Sequence, residues 1–116
     1  MANVDVTINK TNRPNEATAA FEFKAAAASD TIRIPFDGKD QQTTFIVTAE
    51  TACNLTIKAG DSLQGVNDEV IAITANKYHA FSLDSGRFKN IRGENAGKVI
   101  MTPSAACSIA VVETRV

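Results

Sequence analysis

The chain has 116 residues, 44% of them hydrophobic and 22% charged, a balance that fits one globular domain large enough to close a core without disulfides or metals. Twelve Lys and Arg against thirteen Asp and Glu leave a formal net charge of -1 with no long run of either sign, which excludes the clustered basic face that nucleic acid would require. No stretch approaches the roughly 20 apolar residues of a membrane-spanning helix, and with no Trp and one Tyr the core falls to Val, Ile, Leu, Ala and six Phe, among them Phe45, Phe81 and Phe88, which suits a thin, two-layer β core.

Residues 1–10 alternate Val4, Val6 and Ile8 with polar residues, and they lack the apolar centre of a secretory signal. Residues 9–16 are polar and include Pro14. Residues 17–28 combine helix-forming alanines with Phe21 and Phe23, whose two-residue spacing puts the rings on different faces of a helix but on one face of a strand. An extended strand or arm is therefore favoured over a helix. Asp30-Thr31-Ile32-Arg33-Ile34-Pro35 reads as a strand ended by proline, with Asp37-Gly38 as a turn. This divides the chain into an N-terminal arm or added strand over residues 1–29 and a β-sandwich domain over residues 30–116.

From residue 43 the chain becomes a series of short β-rich runs separated by turn chemistry, the pattern of a sandwich or barrel. Residues 43–48 are dense in β-branched and aromatic side chains, and residues 54–58 alternate, with Leu55 and Ile57 facing the core and Thr56 and Lys58 outward. The few polar or small residues between these runs suggest an antiparallel hairpin. Residues 59–68 form a turn-rich loop, exposed except for Leu63 and Val66. Residues 70–74 and 78–83 make a second hairpin, with His79, Phe81 and Leu83 on one face. Residues 87–91 read as a short strand or helical turn, residues 92–97 as a polar loop, and residues 98–102 with 107–113 as a third hairpin. The fold class that follows is all-β: a small antiparallel β-sandwich or barrel, jelly-roll-like, built from successive hairpins, with an N-terminal arm or extra strand.

Catalysis needs groups that can meet, and the chain offers one His, no paired-carboxylate motif and no nucleophile-elbow, zinc-protease or phosphate-loop signature. His79 could serve as a base with Ser82 or Asp84, but a strand puts His79 and Ser82 on opposite faces, so a packed or rim histidine is expected. Asp61, Asn67, Asp68 and Glu69 could ligate calcium, yet their spacing does not fit an EF-hand loop, and solvated turn residues are expected instead. Gly60 and Gly65 precede a strand-like run, not a helix, so they read as turn glycines and not as an anion cradle. Cys53 and Cys107 lie outside any metal or redox spacing; buried thiols are the favoured reading, with a disulfide between two strand starts as the alternative. The expectation is a non-enzyme with no catalytic residues, metal or cofactor. Two glycosylation-type triplets, at Asn9 and Asn54, read as chance matches.

The stretch Ile57-Lys58-Ala59-Gly60-Asp61-Ser62-Leu63-Gln64-Gly65-Val66-Asn67-Asp68, followed by Ile71-Ala72-Ile73-Thr74-Ala75-Asn76-Lys77, Leu83-Asp84-Ser85-Gly86-Arg87-Phe88-Lys89 and Val99-Ile100-Met101-Thr102-Pro103-Ser104, resembles small virion proteins of tailed bacteriophages, of the capsid decoration or head type. The likeness covers residues 43–112. It implies a structural virion protein, a decoration (cement) protein that binds the assembled major capsid protein lattice and stabilises it, made in the host cytoplasm and located on the capsid surface. It also allows a homo-oligomer, a trimer about a lattice axis among the forms it allows, and it involves neither nucleic acid nor membrane. The candidate partner-contact residues are Val4, Val6, Ile8, Phe21 and Phe23, which could extend a partner sheet from the N-terminal segment. The alternative function is a carbohydrate- or receptor-binding accessory module of a phage tail or fibre, for which exposed aromatics at loop tips would be the sign.

Overall fold

A computed structural model describes residues 2–11, 22–36, 39–63 and 65–114. Among the described residues ten strands make two sheets packed face to face as an all-β sandwich. In chain order they are β1 (Asn3–Asp5), β2 (Ile8–Lys10), β3 (Lys24–Ala26), β4 (Thr31–Pro35), β5 (Thr43–Thr48), β6 (Cys53–Ile57), β7 (Glu69–Ile73), β8 (Tyr78–Phe81), β9 (Lys98–Pro103) and β10 (Cys107–Glu113); a short helix, α1 (Ser85–Phe88), and a 3-10 turn at Gly93–Asn95 lie between β8 and β9. One sheet has the order β1-β4-β9-β6-β7; the other is β2-β10-β5-β8, with β3 also paired to β10. Both are mixed, because β1 joins β4 and β2 joins β10 in parallel while the remaining pairs are antiparallel.

Period-two alternation sets which side chains face inward. Phe45 and Val47 of β5, Leu55 and Ile57 of β6, Val99 and Met101 of β9 and Ile109 and Val111 of β10 are fully buried between the sheets. The rings of Phe36, Phe45 and Phe81 fill the centre, Phe36 edge-on to Phe45 at 5.7 Å between centroids and Phe81 stacked on Phe45 at 5.4 Å. Phe88, on α1, closes the core near the loops.

The three expected hairpins do not form. β5 and β6 lie in different sheets, as do β7 and β8, and β9 and β10. Residues 49–52, 74–77 and 104–106 therefore arch over the edge of the core from one sheet to the other, and residues 27–30 do the same between β3 and β4. The alternation of apolar residues is the same for an arch as for a hairpin, since it specifies the buried face and not the paired edge. None of these turns carries the two-residue Asn-Gly or Asp-Gly that forces a tight hairpin. The arches stack on one another instead: β5 and β6 pair with β10 and β9, and with β8 and β7 on their other edges. Backbone bonds knit turn to turn, with Asn76 N–H donating to the Ala49 carbonyl at 2.8 Å, Ser104 N–H to Asn54 at 2.9 Å and Ser29 N–H to Pro103 at 2.9 Å. The registers put all four arches at one end of the sandwich; residues 58–63, 65–68 and 84–97 lie at the other.

Residues 3–10 form one extended segment that changes sheets midway, adding β1 to one and β2 to the other. Val6, at the crossing, is buried in the core, and its N–H bonds to the Arg33 carbonyl at 3.0 Å. Arg33 clasps Asp5 through two hydrogen bonds of 2.7 and 2.9 Å. Glu113, 1% exposed, has Lys39 at 3.6 Å and Lys10 at 3.9 Å on one carboxylate oxygen, which ties β2 to the end of β10. Of residues 17–28, the described part is extended: β3 lies antiparallel along β10. Residues 12–21 lie outside the described residues.

Candidate protein-binding surface

The N-terminal contact candidates separate by placement. Val6 is core, and Val4 and Ile8 are half-buried against that core, so these three side chains pack on their own domain. Phe23 is exposed on the outer face of the β10 sheet and meets Tyr78 edge-on at 5.9 Å. Phe21 lies outside the described residues.

Four other strongly exposed apolar side chains lie on or beside the loop that joins β6 to β7. Leu63 is fully exposed, Val66 is 72% exposed, and Val70 at the start of β7 and Ile91 are also more than half exposed. This corrects the expectation that Leu63 and Val66 would be buried. The loop's inward contacts are made by its backbone and its carboxylates, which leaves these two side chains free to project. Gly60 is buried, and its N–H donates to the Arg87 carbonyl at 2.8 Å. A Cβ there would sit 2.5 Å from the Lys89 carbonyl oxygen, and one on Gly65 would collide with the Gly60 carbonyl, so glycine is required at both turns for close approach of backbone to backbone. Asp61 accepts from the N–H groups of Ile91 at 2.7 Å and Arg92 at 3.1 Å; Asp68 accepts from Ala59 N–H at 2.7 Å and pairs with Lys58 at 3.6 Å. Ser62 Oγ donates to the Gly86 carbonyl at 2.7 Å. Asp84 caps α1 through Gly86 N–H at 2.8 Å, and Asp40 accepts from Ser85 N–H at 3.0 Å.

These bonds explain the polar residues that resembled sites. Asp61 and Asp68 bind backbone, and among the described residues no three His, Cys, Asp or Glu side chains gather as a metal would require. His79 Nε2 accepts the Thr74 N–H at 3.0 Å, a bridge across the β7–β8 arch. Cys53 and Cys107 are free thiols; burial, and secondarily the neighbouring Cys53, push the Cys107 thiol up to about 11. Hydrogen bonding from Arg33 lowers the Asp5 carboxyl below its usual value, and the N–H groups of Ala2 and Ala27 do the same for Asp30, which pins the β3–β4 arch. Among the described residues no helix is long and apolar enough to cross a membrane.

Side chains that the periodic pattern assigns to no strand, Leu63 and Val66, are thus the most exposed large apolar ones among the described residues, and no periodic signal marks them. Their flanking Gly and Asp residues are the only sequence cue that the loop holds a defined shape. Comparison with known proteins adds no assignment: no family model, curated protein or solved structure matches the chain.

Proposed function

We propose that the chain is a structural virion protein of the capsid decoration type, which binds the assembled major capsid protein lattice from the capsid surface and reinforces it, with no catalytic step. The observation that carries this reading is the fully exposed Leu63 on a loop whose backbone is pinned by Gly60, Asp61 and Asp68. A projecting apolar side chain on a pre-ordered loop can anchor a protein contact with little ordering penalty. Val66, Val70 and Ile91 widen that anchor. The same loop lies in the first of the stretches that resemble tailed-bacteriophage virion proteins, and this resemblance is why a lattice is taken as the partner. Many copies on one lattice turn modest single-site affinity into lasting attachment when the geometry lets sites engage together.

The test is sedimentation of the full chain with purified capsids. Leu63→Asp combined with Val66→Asp should weaken binding by at least about tenfold while leaving the thermal melt in place, since both side chains are exposed and truncating a hot spot has an effect of that size. Binding that survives both substitutions removes the loop from the contact. A wild-type chain that stays in the supernatant with capsids removes the function.

A further inference from the structure

At the arch end, opposite the Leu63 loop, the outer face of the β10 sheet carries a cleft of about 580 Å³. Its floor follows from strand register. Ala25, Ser108, Thr48 and Tyr78 are cross-strand partners in one row over β3, β10, β5 and β8. All four point outward, because their neighbours Ala26, Cys107, Val47 and His79 point toward the core. Three small side chains beside one large ring make a groove with an aromatic wall. Tyr78 is 71% exposed, and Phe23 meets its ring at an interplanar angle of 62°, so the ring is braced from one side and open to solvent elsewhere. The arches supply polar groups at the rim: Glu50 and Thr51 from one and Asn76 from the next. Asn76 N–H bonds to the Ala49 carbonyl at 2.8 Å, which locks these two turns together.

We propose that this groove binds a neutral saccharide. A pyranose has an apolar C–H face that stacks on an aromatic ring and a rim of hydroxyls that bond to carboxylate, amide and hydroxyl groups. Tyr78 offers the first; Glu50, Asn76, Thr48 and Ser108 offer the second. Among the described residues lining the groove, Glu50 is the only charged one and no cation is present, so an acidic sugar is disfavoured. The groove shares no residue with the Leu63 loop, and the strand registers place it at the far end, so lattice docking and saccharide binding would not compete.

The test records amide shifts of the full chain with galactotriose, cellotriose, maltotriose and chitotriose at about 10 mM, a level that detects dissociation constants near 1 mM, and with trigalacturonic acid as the anionic counterpart. At least one neutral trisaccharide should move amides confined to residues 48–51, 76–78 and 106–108, and trigalacturonic acid should not. Tyr78→Ala should weaken that binding at least tenfold, and Tyr78→Phe, which keeps the stacking face, should preserve it. Should Tyr78→Ala not fold, Ser108→Leu fills the floor without touching the ring and must abolish the same shifts. No shift with any of the four neutral sugars, equal shifts with trigalacturonic acid, or binding that persists in the folded Tyr78→Ala or Ser108→Leu chain would each overturn the proposal.

Discussion

At the arch end, turn is bonded to turn through the backbone, as in Asn76 N–H to the Ala49 carbonyl, and the side chains left outside are small and polar around one ring. At the loop end, the carboxylates of Asp61 and Asp68 hold the backbone, glycine permits the close approach, and the side chains left outside are Leu63, Val66 and Ile91. One sandwich therefore ends in two surfaces of different chemistry. The means of satisfying buried N–H and C=O groups decides which side chains remain for partners. Where the arches bond turn to turn, with Asp30 and His79 bracing two of them, a recessed polar groove results. Where carboxylates do the work, apolar side chains are released to solvent.

The strongest way to break the loop end is to deny it the close approach. In Gly60→Ala the new Cβ meets Lys89 carbonyl oxygen at 2.5 Å and the Phe88 and Lys89 carbonyl carbons at 3.0 Å, all backbone atoms that cannot rotate away. Residues 88–89 must move, and Phe88 with them out of the core. A loss of about 3 kcal/mol is expected, read as a melting temperature lower by roughly 10 °C. Amides 91 and 92, bonded to Asp61, should lose hydrogen-exchange protection while the arch-end amides 76 and 104 keep theirs. Uniform loss of protection would show that the two ends are not separately held.

The arch end is probed through Cys107, buried where β10 leaves its arch. Its folded thiol holds its proton up to about 11, against 9.0 for the free group. The unfolded chain thus releases that proton first as pH rises, binds fewer protons than the folded chain between those values, and gains relative stability there. The stabilising difference is complete below about pH 9 and is lost on the way to about 11. Its size is up to about 3 kcal/mol. Cys107→Ala should flatten the fall in denaturation midpoint over that window, and a fall as steep as that of the wild type would assign it to other groups.

How much of this was legible in the residues depends on the kind of signal. Alternation in residues 54–57 marked Leu55 and Ile57 as inward, and Phe45 was expected in the core; all three are buried, as are Val47, Val99 and Met101. The same alternation could not say that β5 leaves for the opposite sheet, because pairing is chosen by long-range edges and these turns lack hairpin-specific residues. The alternating Val4, Val6 and Ile8 read as extended chain, and Val4 and Ile8 lie in β1 and β2, but that the residue pair between those strands switches sheets has no local signature. Hydrophobicity placed Leu63 and Val66 inside because it cannot register that Asp61 and Gly60 already satisfy the loop. Tyr78 beside Lys77 gave no hint of a groove, since the floor of small residues exists only once four strands come into register.

The smallest expected effect separates the ends by backbone conformation. At the arches the positive φ positions are held by Ser29 (φ 66) and Asn76 (φ 61); at the loop end they are held by Gly93 (φ 72) and Gly97 (φ 81). A side chain at positive φ carries a steric penalty of about 1 kcal/mol, which Asn tolerates better than Ser. Gly97→Ala meets no atom within 4 Å, so its cost is that conformation, offset in part by the freedom alanine removes from the unfolded chain: a net loss of at most about 1 kcal/mol. Ser29→Gly removes the penalty but adds freedom to the unfolded chain, and the two nearly cancel, leaving a change within about 0.5 kcal/mol. A pair of chemical melts decides it. Ser29→Gly should leave the midpoint almost unmoved while Gly97→Ala lowers it, because the Ser29 N–H to Pro103 bond and the Asp30 carboxylate already hold the β3–β4 arch in place. A large gain from Ser29→Gly would mean that this arch stores strain, and that stacked arches are not the relaxed end of the molecule.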